Sequence, residues 1–257
     1  MNSDDYLTEW NDIDVGSLTT VQRLPIGTIL RRNGKVYAYT EFGGTVAVAK
    51  LVSSEIPDAV HDVLPPVAAL AGATNFDITS PASGSADFIV NEYAGGTVYS
   101  GTGNGTPGYG YSIATHEALD ISEAGTMNVV LVPGENLTVA LAATDDMAFV
   151  KNPWKEVILA AATLIAPIVG VTLAAVVNGN FGWVGVKGLF PVLTVGTLIN
   201  GEAVIMSTTA GAVMIPEHEE ATDADRSREN VGTIGVCADI GATGEFSLIA
   251  LNGLGVV

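Results

Sequence analysis

The chain repeats part of itself, faintly, at a spacing of sixty-five residues. Residues 168–189 align without a gap with residues 233–254, and three of the six identical pairs are glycines at turn-like places. A looser echo joins the Gly-Thr and Asn-Gly pairs of residues 27–34 to those of residues 196–201. Repetition at this length is typical of duplicated β units that pack against one another.

The composition agrees with a chain built from strands and tight turns. It includes 30 glycines and 11 prolines and is rich in Val, Ile, Thr and Ala, which suits strands more than helices. We predict an all-β fold of β-sandwich or β-barrel-like units, with an internal duplication, an extended N-terminal arm and at most one or two short helices. The predicted parts are an arm over residues 1–23, a β domain over residues 24–150, and a second β domain over residues 151–257 that contains the repeat.

Local signals refine this prediction at two places. Asn33-Gly34 lies between two strand-like runs and predicts a β-hairpin. Pro57-Asp58 is typical of a helix start, and Pro65-Pro66 of a helix end, so a short helix is expected between them.

The net charge limits the kinds of partner. Ten Lys and Arg stand against 28 Asp and Glu, for a formal net charge of −18. Binding to nucleic acid needs a stripe of Lys and Arg, which this sequence lacks, so no nucleic-acid partner is expected. The excess of acid favours a partner surface of complementary positive charge.

One segment is long and apolar enough to consider as a membrane span. Residues 157–177 carry no charge, and a stretch of that length can cross a bilayer. Pro167 and Gly170 interrupt it, and its second half belongs to the repeat, whose other copy carries Asp239 and Glu245. We therefore predict two buried strands with a bend at Pro167, no membrane partner and no secretory signal.

The first 22 residues combine five acidic residues with no basic one. The apolar residues among them are Tyr6, Leu7, Trp10 and Ile13. The spacing 6, 10 and 13 fits one face of a helix, and the same residues also fit an extended arm that docks on another subunit. Because exposing Trp10 in a free tail stabilises nothing, we expect these four residues to bind a partner.

Signals for a cofactor or a metal are weak. Residues 103–108 match the G-x-G-x-x-G string of dinucleotide-binding proteins, but Pro107 lies inside it and no βαβ unit surrounds it. His218 lies in an acidic stretch with no second histidine nearby, so this stretch is interpreted as a solvated loop. We predict no cofactor and no metal.

Signals for catalysis are equally weak. His61 and His116 are available as bases, although a hydrogen-bonded structural histidine is the commoner case. Cys237 lies in an apolar run and is interpreted as a buried, inert thiol. No catalytic residue is assigned, and the chain is not expected to be an enzyme.

The loop over residues 99–111 is the best candidate for outward recognition. Tyr99, Tyr109 and Tyr111 lie there among glycines and Asn104. Aromatic rings with a polar neighbour can stack on a sugar and hydrogen-bond to it. This loop leaves open a surface adhesin or carbohydrate-binding β module as the alternative function.

Several glycine-led phrases resemble segments of virion structural proteins of tailed bacteriophages. They are Gly27-Thr28-Ile29-Leu30 with Gly34-Lys35-Val36-Tyr37 and Gly43-Gly44-Thr45, Gly170-Val171-Thr172-Leu173-Ala174-Ala175 with Gly179-x-Phe181-Gly182-Trp183-Val184 and Gly188, and Gly232-Thr233-Ile234-Gly235-Val236 with Phe246. The resemblance implies a capsid decoration, or cement, protein. Such a protein is an all-β homo-oligomer, commonly a trimer, that sits on the major capsid protein and has no catalytic residues.

The expected function is therefore structural. The protein would be made in the host cytoplasm, bind the major capsid protein on the capsid exterior and stabilise the shell. A stable β body would supply the scaffold, and the N-terminal arm would reach a sister subunit or the shell.

Overall fold

The computed structural model describes residues 13–82, 87–102, 108–163, 165–216, 232–242 and 244–254. It is nearly all β, with 43% strand and 1% helix, and this confirms the predicted fold class. The strands are β1 (Ile29–Arg32), β2 (Lys35–Glu41), β3 (Leu51–Ser53), β4 (Asn75–Thr79), β5 (Thr97–Thr102), β6 (Gly110–His116), β7 (Thr126–Leu131), β8 (Asp146–Val150), β9 (Ile158–Leu159), β10 (Ile168–Thr172), β11 (Phe181–Leu193), β12 (Ala203–Met206), β13 (Val213–Met214), β14 (Gly235–Asp239) and β15 (Phe246–Asn252).

Helical structure is limited to one short turn in the described residues. The helix expected after residue 57 is a 3-10 turn, Ala59–His61, and its N-cap Asp58 accepts a hydrogen bond from the Val60 amide at 3.0 Å. No helix in the described part of the chain is long and apolar enough to cross a membrane.

The chain forms two compact units. Unit 1 comprises residues 1–55 and 153–257, and unit 2 comprises residues 56–152. This division differs from the predicted one, which grouped residues 24–55 with unit 2. The reason is a long-range pairing, because β2 runs antiparallel to the N-terminal half of β11 from Glu41–Phe181 to Val36–Lys187.

Unit 1 contains a duplication of five strands, in which the two copies share one long strand. The first copy consists of β2, β3, β9, β10 and the N-terminal half of β11. The second copy consists of the C-terminal half of β11 and β12 to β15. The spatial order is β9-β3-β10-β11-β2 in the first copy and β13-β12-β14-β15-β11 in the second. Strands that correspond in chain order therefore occupy the same place in both copies.

The repeat found in the sequence is a pair of hairpins in the same register. Val171 lies opposite Gly185 between β10 and β11. Sixty-five residues further on, Val236 lies opposite Ala250 between β14 and β15. The repeated turn glycines also share a positive φ, with 77° at Gly179, 84° at Gly244, 107° at Gly188 and 106° at Gly253.

The outer strands extend the duplication beyond the sequence repeat. Gly170 lies opposite Val52 of β3, and its counterpart Gly235 lies opposite Val204 of β12. The two outer strands thus correspond at a spacing of 152 residues, against sixty-five for the hairpins. The difference in spacing shows that the two copies carry connections of different length.

The looser echo is not a structural equivalence. Residues 27–34 lead into and through the β1–β2 hairpin, whereas residues 196–201 connect β11 to β12 and correspond to residues 44–49 of the first copy. Gly-Thr and Asn-Gly are local turn signals and recur wherever the chain reverses. The Asn33-Gly34 hairpin itself is confirmed, with Arg32 opposite Lys35.

The connection between the second and third strands distinguishes the two copies. In the second copy, β12 and β13 are joined by a tight turn in which the Ser207 amide donates to the Ala212 carbonyl at 2.9 Å. In the first copy, the same connection runs from β3 to β9 and contains all of unit 2. Unit 2 therefore occupies the place of a turn.

Unit 2 is a five-strand antiparallel sheet of order β4-β7-β6-β5-β8 with its own apolar core. The segment over residues 64–67 joins its two edges. Leu64 exchanges two backbone hydrogen bonds with Met147 of β8, at 3.0 and 2.9 Å, and the Val67 amide donates to the Asp77 carbonyl of β4 at 2.8 Å. The segment acts as a sixth strand that closes the sheet on itself.

Candidate functional site

The histidines of unit 2 form a buried polar cluster with Tyr93. The Tyr93 amide donates to Nε2 of His116 at 2.9 Å, so this nitrogen is unprotonated, and the Nδ1–H of His116 donates to the Glu117 carbonyl at 2.7 Å. Nδ1 of His61 lies 2.5 Å from the Tyr93 hydroxyl. The centroid of the His61 ring lies 3.8 Å from the centroid of the Phe88 ring. The arrangement holds the loop around residue 93 against the core of unit 2, so both histidines have structural partners.

Cys237 is buried in unit 1. Burial raises the pKa of its thiol, which lowers the fraction of reactive thiolate. The sulfur lies 3.6 Å from the Asp239 carbonyl and 3.8 Å from Oδ1 of Asn200. This environment makes the thiol a poor nucleophile.

The described residues include no metal-binding cluster. None of them forms a group of three or more His, Cys, Asp and Glu side chains able to hold a metal ion. His218 and the acidic stretch around it lie outside the described part of the chain.

The predicted arm is described only in its last part. Ile13 packs against the core of unit 1, its carbonyl accepts a hydrogen bond from Nη1 of Arg32 at 2.9 Å, and Thr19 forms a bridge with Phe181. The arm therefore meets its own chain from residue 13 onward. Three other residues predicted to bind a partner lie outside the described residues: Tyr6, Leu7 and Trp10.

The tyrosines of the 99–111 loop do not share one surface. Tyr111 is only 4% exposed, and its hydroxyl accepts a hydrogen bond from the Thr138 amide at 3.1 Å. It belongs to the core of unit 2 rather than to an outward recognition surface. Tyr99 and Tyr109 are partly exposed, and Asn104 lies outside the described residues.

Strand geometry separates the two exposed tyrosines. Tyr99 lies directly opposite Gly110, so any side chains at these two positions point to the same face of the sheet. Tyr109 is next to Gly110 in the chain and therefore points to the other face. A single stacking platform made of these tyrosines is not formed.

An exposed apolar surface does exist around Tyr99. On the outer face of unit 2, Tyr99 of β5 lies opposite Ala148 of β8, and Val150 follows two residues later on the same face. Leu64 points inward opposite Met147, so its neighbour Val63 points outward beside Ala148. We call this surface the Tyr99 face and define it by Val63, Tyr99, Ala148 and Val150.

The exposure of the Tyr99 face is high for apolar side chains. Val63 is 63% exposed, Val150 40% and Tyr99 38%, whereas Ala148 is buried between them. Sequence analysis selected Tyr99 but missed Val63 and Val150. The alternation of Met147 and Phe149 with Ala148 and Val150 signals a strand, but it does not say which pair faces outward until residues 64–67 are known to close the sheet.

Two carboxylates lie beside this apolar surface. Asp62 precedes Val63 in the chain, and Asp146 lies two residues before Ala148 on the same face of β8. The Tyr99 face is thus an apolar centre with an acidic rim, a composition suited to binding another protein.

No protein-family model, no curated protein and no solved structure matches this chain. Its function is therefore argued from its own residues.

Proposed function

We propose that this protein is a structural capsid decoration, or cement, protein that binds the major capsid protein on the outside of a viral head and stabilises the shell. The observation that supports this most is the division between the two units. Unit 1 builds a duplicated, hydrogen-bonded β body, and unit 2 presents an exposed apolar surface with an acidic rim. A protein of this design stabilises by contact and needs no reacting group.

The chemistry of the described residues supports the same proposal. His61 and His116 are committed to the packing of unit 2, and the Cys237 thiol is buried with a raised pKa. The resemblance of the glycine-led phrases to virion proteins gives the proposal its specific form, a homo-oligomer with a trimer favoured. A net charge of −18 favours solubility of the free protein and disfavours contact with packaged DNA.

Electron microscopy of heads tests this proposal directly. Heads assembled with the chain should carry surface density that is missing from heads assembled without it, and the decorated heads should withstand higher temperature before they rupture. A chain that is absent from purified heads, or that lies inside them, would contradict the proposal.

The alternative is a carbohydrate-binding or adhesin module, and partial exposure of Tyr99 and Tyr109 is what favours it. Since the two rings point to opposite faces, each would have to act alone. Binding to a glycan array that is lost in Tyr99→Ala or Tyr109→Ala, with the fold intact, would favour this alternative over a capsid role.

A further inference from the structure

We propose that the Tyr99 face is the surface through which this protein docks on its partner, and that the partner presents an apolar patch rimmed by Lys and Arg. The inference rests on the proposed function in one respect, because it takes that partner to be the major capsid protein. It adds the part of the chain that makes the contact and the chemistry that the contact requires.

The first argument is that unit 2 is not needed to complete the body. The second copy in unit 1 has the same five strands in the same order and register, and it joins its second and third strands by a tight turn at residues 207–212. The first copy carries unit 2 at that place. A module inserted where a turn suffices has a surface that the body does not use.

The second argument is the position of the apolar side chains. Tyr99, Ala148 and Val63 lie side by side on three adjacent strands, where β5, β8 and the closing segment meet. Ala148 lies between the positions of Tyr99 and Val63 and is buried, whereas both of its neighbours are exposed. Tyrosine is enriched among the residues that dominate the affinity of protein interfaces.

The third argument is charge. Residues 56–152 contain eleven Asp and Glu and a single basic residue, Lys151. Nζ of Lys151 lies 2.8 Å from Oε1 of Glu92, so this cation is already engaged within unit 2. A second copy of the chain would bring carboxylate rim against carboxylate rim, which costs energy. A partner with Lys and Arg around an apolar patch is complementary to both the apolar centre and the acidic rim of the Tyr99 face.

The test uses the full-length chain and empty heads that lack it. Co-sedimentation measures the affinity of the wild type, of Val63→Ser combined with Tyr99→Ser, and of the control Leu70→Ser. Leu70 is 80% exposed, lies in unit 2 and is outside the Tyr99 face. Circular dichroism and thermal unfolding establish that the variants are folded.

The double variant should bind at least about tenfold more weakly than the wild type, since central interface residues dominate affinity, while Leu70→Ser should bind as the wild type does. Raising the salt concentration should weaken wild-type binding because the rim is charged. If the wild type binds and the folded double variant binds with the same affinity, the Tyr99 face is not the docking surface, and the proposed function still stands. Binding that does not respond to salt would overturn the basic rim. A wild-type chain that fails to bind any head would overturn the proposed function, and with it this inference.

Discussion

The two copies in unit 1 share one register but differ in the connection between their second and third strands. The second copy reverses within residues 207–212, and the first copy holds unit 2 at the same place. Inter-strand hydrogen bonds and inward apolar side chains fix the register, whereas a surface connection can lengthen at a small entropic cost. The strands therefore determine the structure of unit 1, and the connection between the second and third strands can accept an insertion.

The two copies also form the same main-chain hydrogen bonds at positions occupied by different residues. Thr172 and Cys237 correspond, and each accepts and donates a main-chain hydrogen bond with the turn before the outer strand. In that turn, Ala49 with φ of 58° corresponds to Gly201 with φ of 85°. Each such pair offers a substitution in one copy with a matched control in the other.

The largest difference is expected at the paired glycines Gly235 and Gly170. A Cβ at Gly235 would lie 2.3 Å from the Ala250 carbonyl oxygen, whereas a Cβ at Gly170 would meet the Val184 side chain at 2.8 Å and the Gly185 carbonyl oxygen only at 3.0 Å. Because the backbone oxygen lies much closer at Gly235 than at Gly170, Gly235→Ala should lower the free energy of unfolding by about 3 kcal/mol and Gly170→Ala by about 1 kcal/mol.

Urea denaturation measures both values, with a third glycine variant as the control. Gly232 has no heavy atom within 4 Å of a built Cβ, so Gly232→Ala should change the free energy of unfolding by less than about 0.5 kcal/mol. A cost at Gly170 equal to or above that at Gly235 would contradict the predicted order of the two steric clashes.

The next difference is expected at Thr172 and Cys237. The Thr172 hydroxyl donates to the Ala47 carbonyl at 2.7 Å and accepts from the Lys50 amide at 3.0 Å. Thr172→Val leaves that amide without this hydroxyl partner and should cost about 2 kcal/mol. The thiol of Cys237 makes only weak sulfur contacts, so Cys237→Val should cost less than about 1 kcal/mol. Thermal and urea unfolding of the two variants side by side would detect the difference, and equal costs would contradict it.

Smaller effects are expected at the paired turn residues Gly201 and Ala49, and the two substitutions should change the free energy of unfolding in opposite directions. Gly201→Ala should lower the free energy of unfolding by about 1 kcal/mol, because a Cβ is disfavoured at positive φ. Ala49→Gly removes that strain but adds freedom to the unfolded chain, so its gain should be no more than about 0.5 kcal/mol. Urea midpoints of the two single variants and of the double variant provide the check. A loss of stability in Ala49→Gly would show that the two turns are not equivalent.

Only a modest effect on the body is expected from the largest deletion. Replacing residues 56–152 by the four residues of the second-copy turn, 208–211, should leave unit 1 folded and change its free energy of unfolding by only about 1 kcal/mol, since connection length contributes weakly. Trp154 and Trp183 are buried in unit 1, so their fluorescence reports on its core. Aggregation or a molten core after the exchange would refute the interpretation of unit 2 as an insertion.

Sequence analysis identified the parts of the fold that depend on local patterns. Strand alternation and turn chemistry identified the all-β class, the Asn33-Gly34 hairpin and the repeat of residues 168–189 in 233–254. These features depend on neighbours within a hairpin, and a hairpin's register follows from its turn and its alternation. The candidate site was predicted less well, since Tyr99 is exposed but Tyr111 lies in the core.

Contacts between distant segments could not be predicted from the sequence. The pairing of β2 with β11 assigns residues 24–55 to unit 1, and the pairing of residues 64–67 with both β8 and β4 determines that Val63 and Val150 face outward. A strand's sequence shows that its side chains alternate but does not name its neighbours or its buried face, because both depend on which distant strand covers it. For this protein, the sequence alone determined the β hairpins and their repetition. The insertion of one unit into another, and the surface that it exposes, were decided by long-range strand pairing.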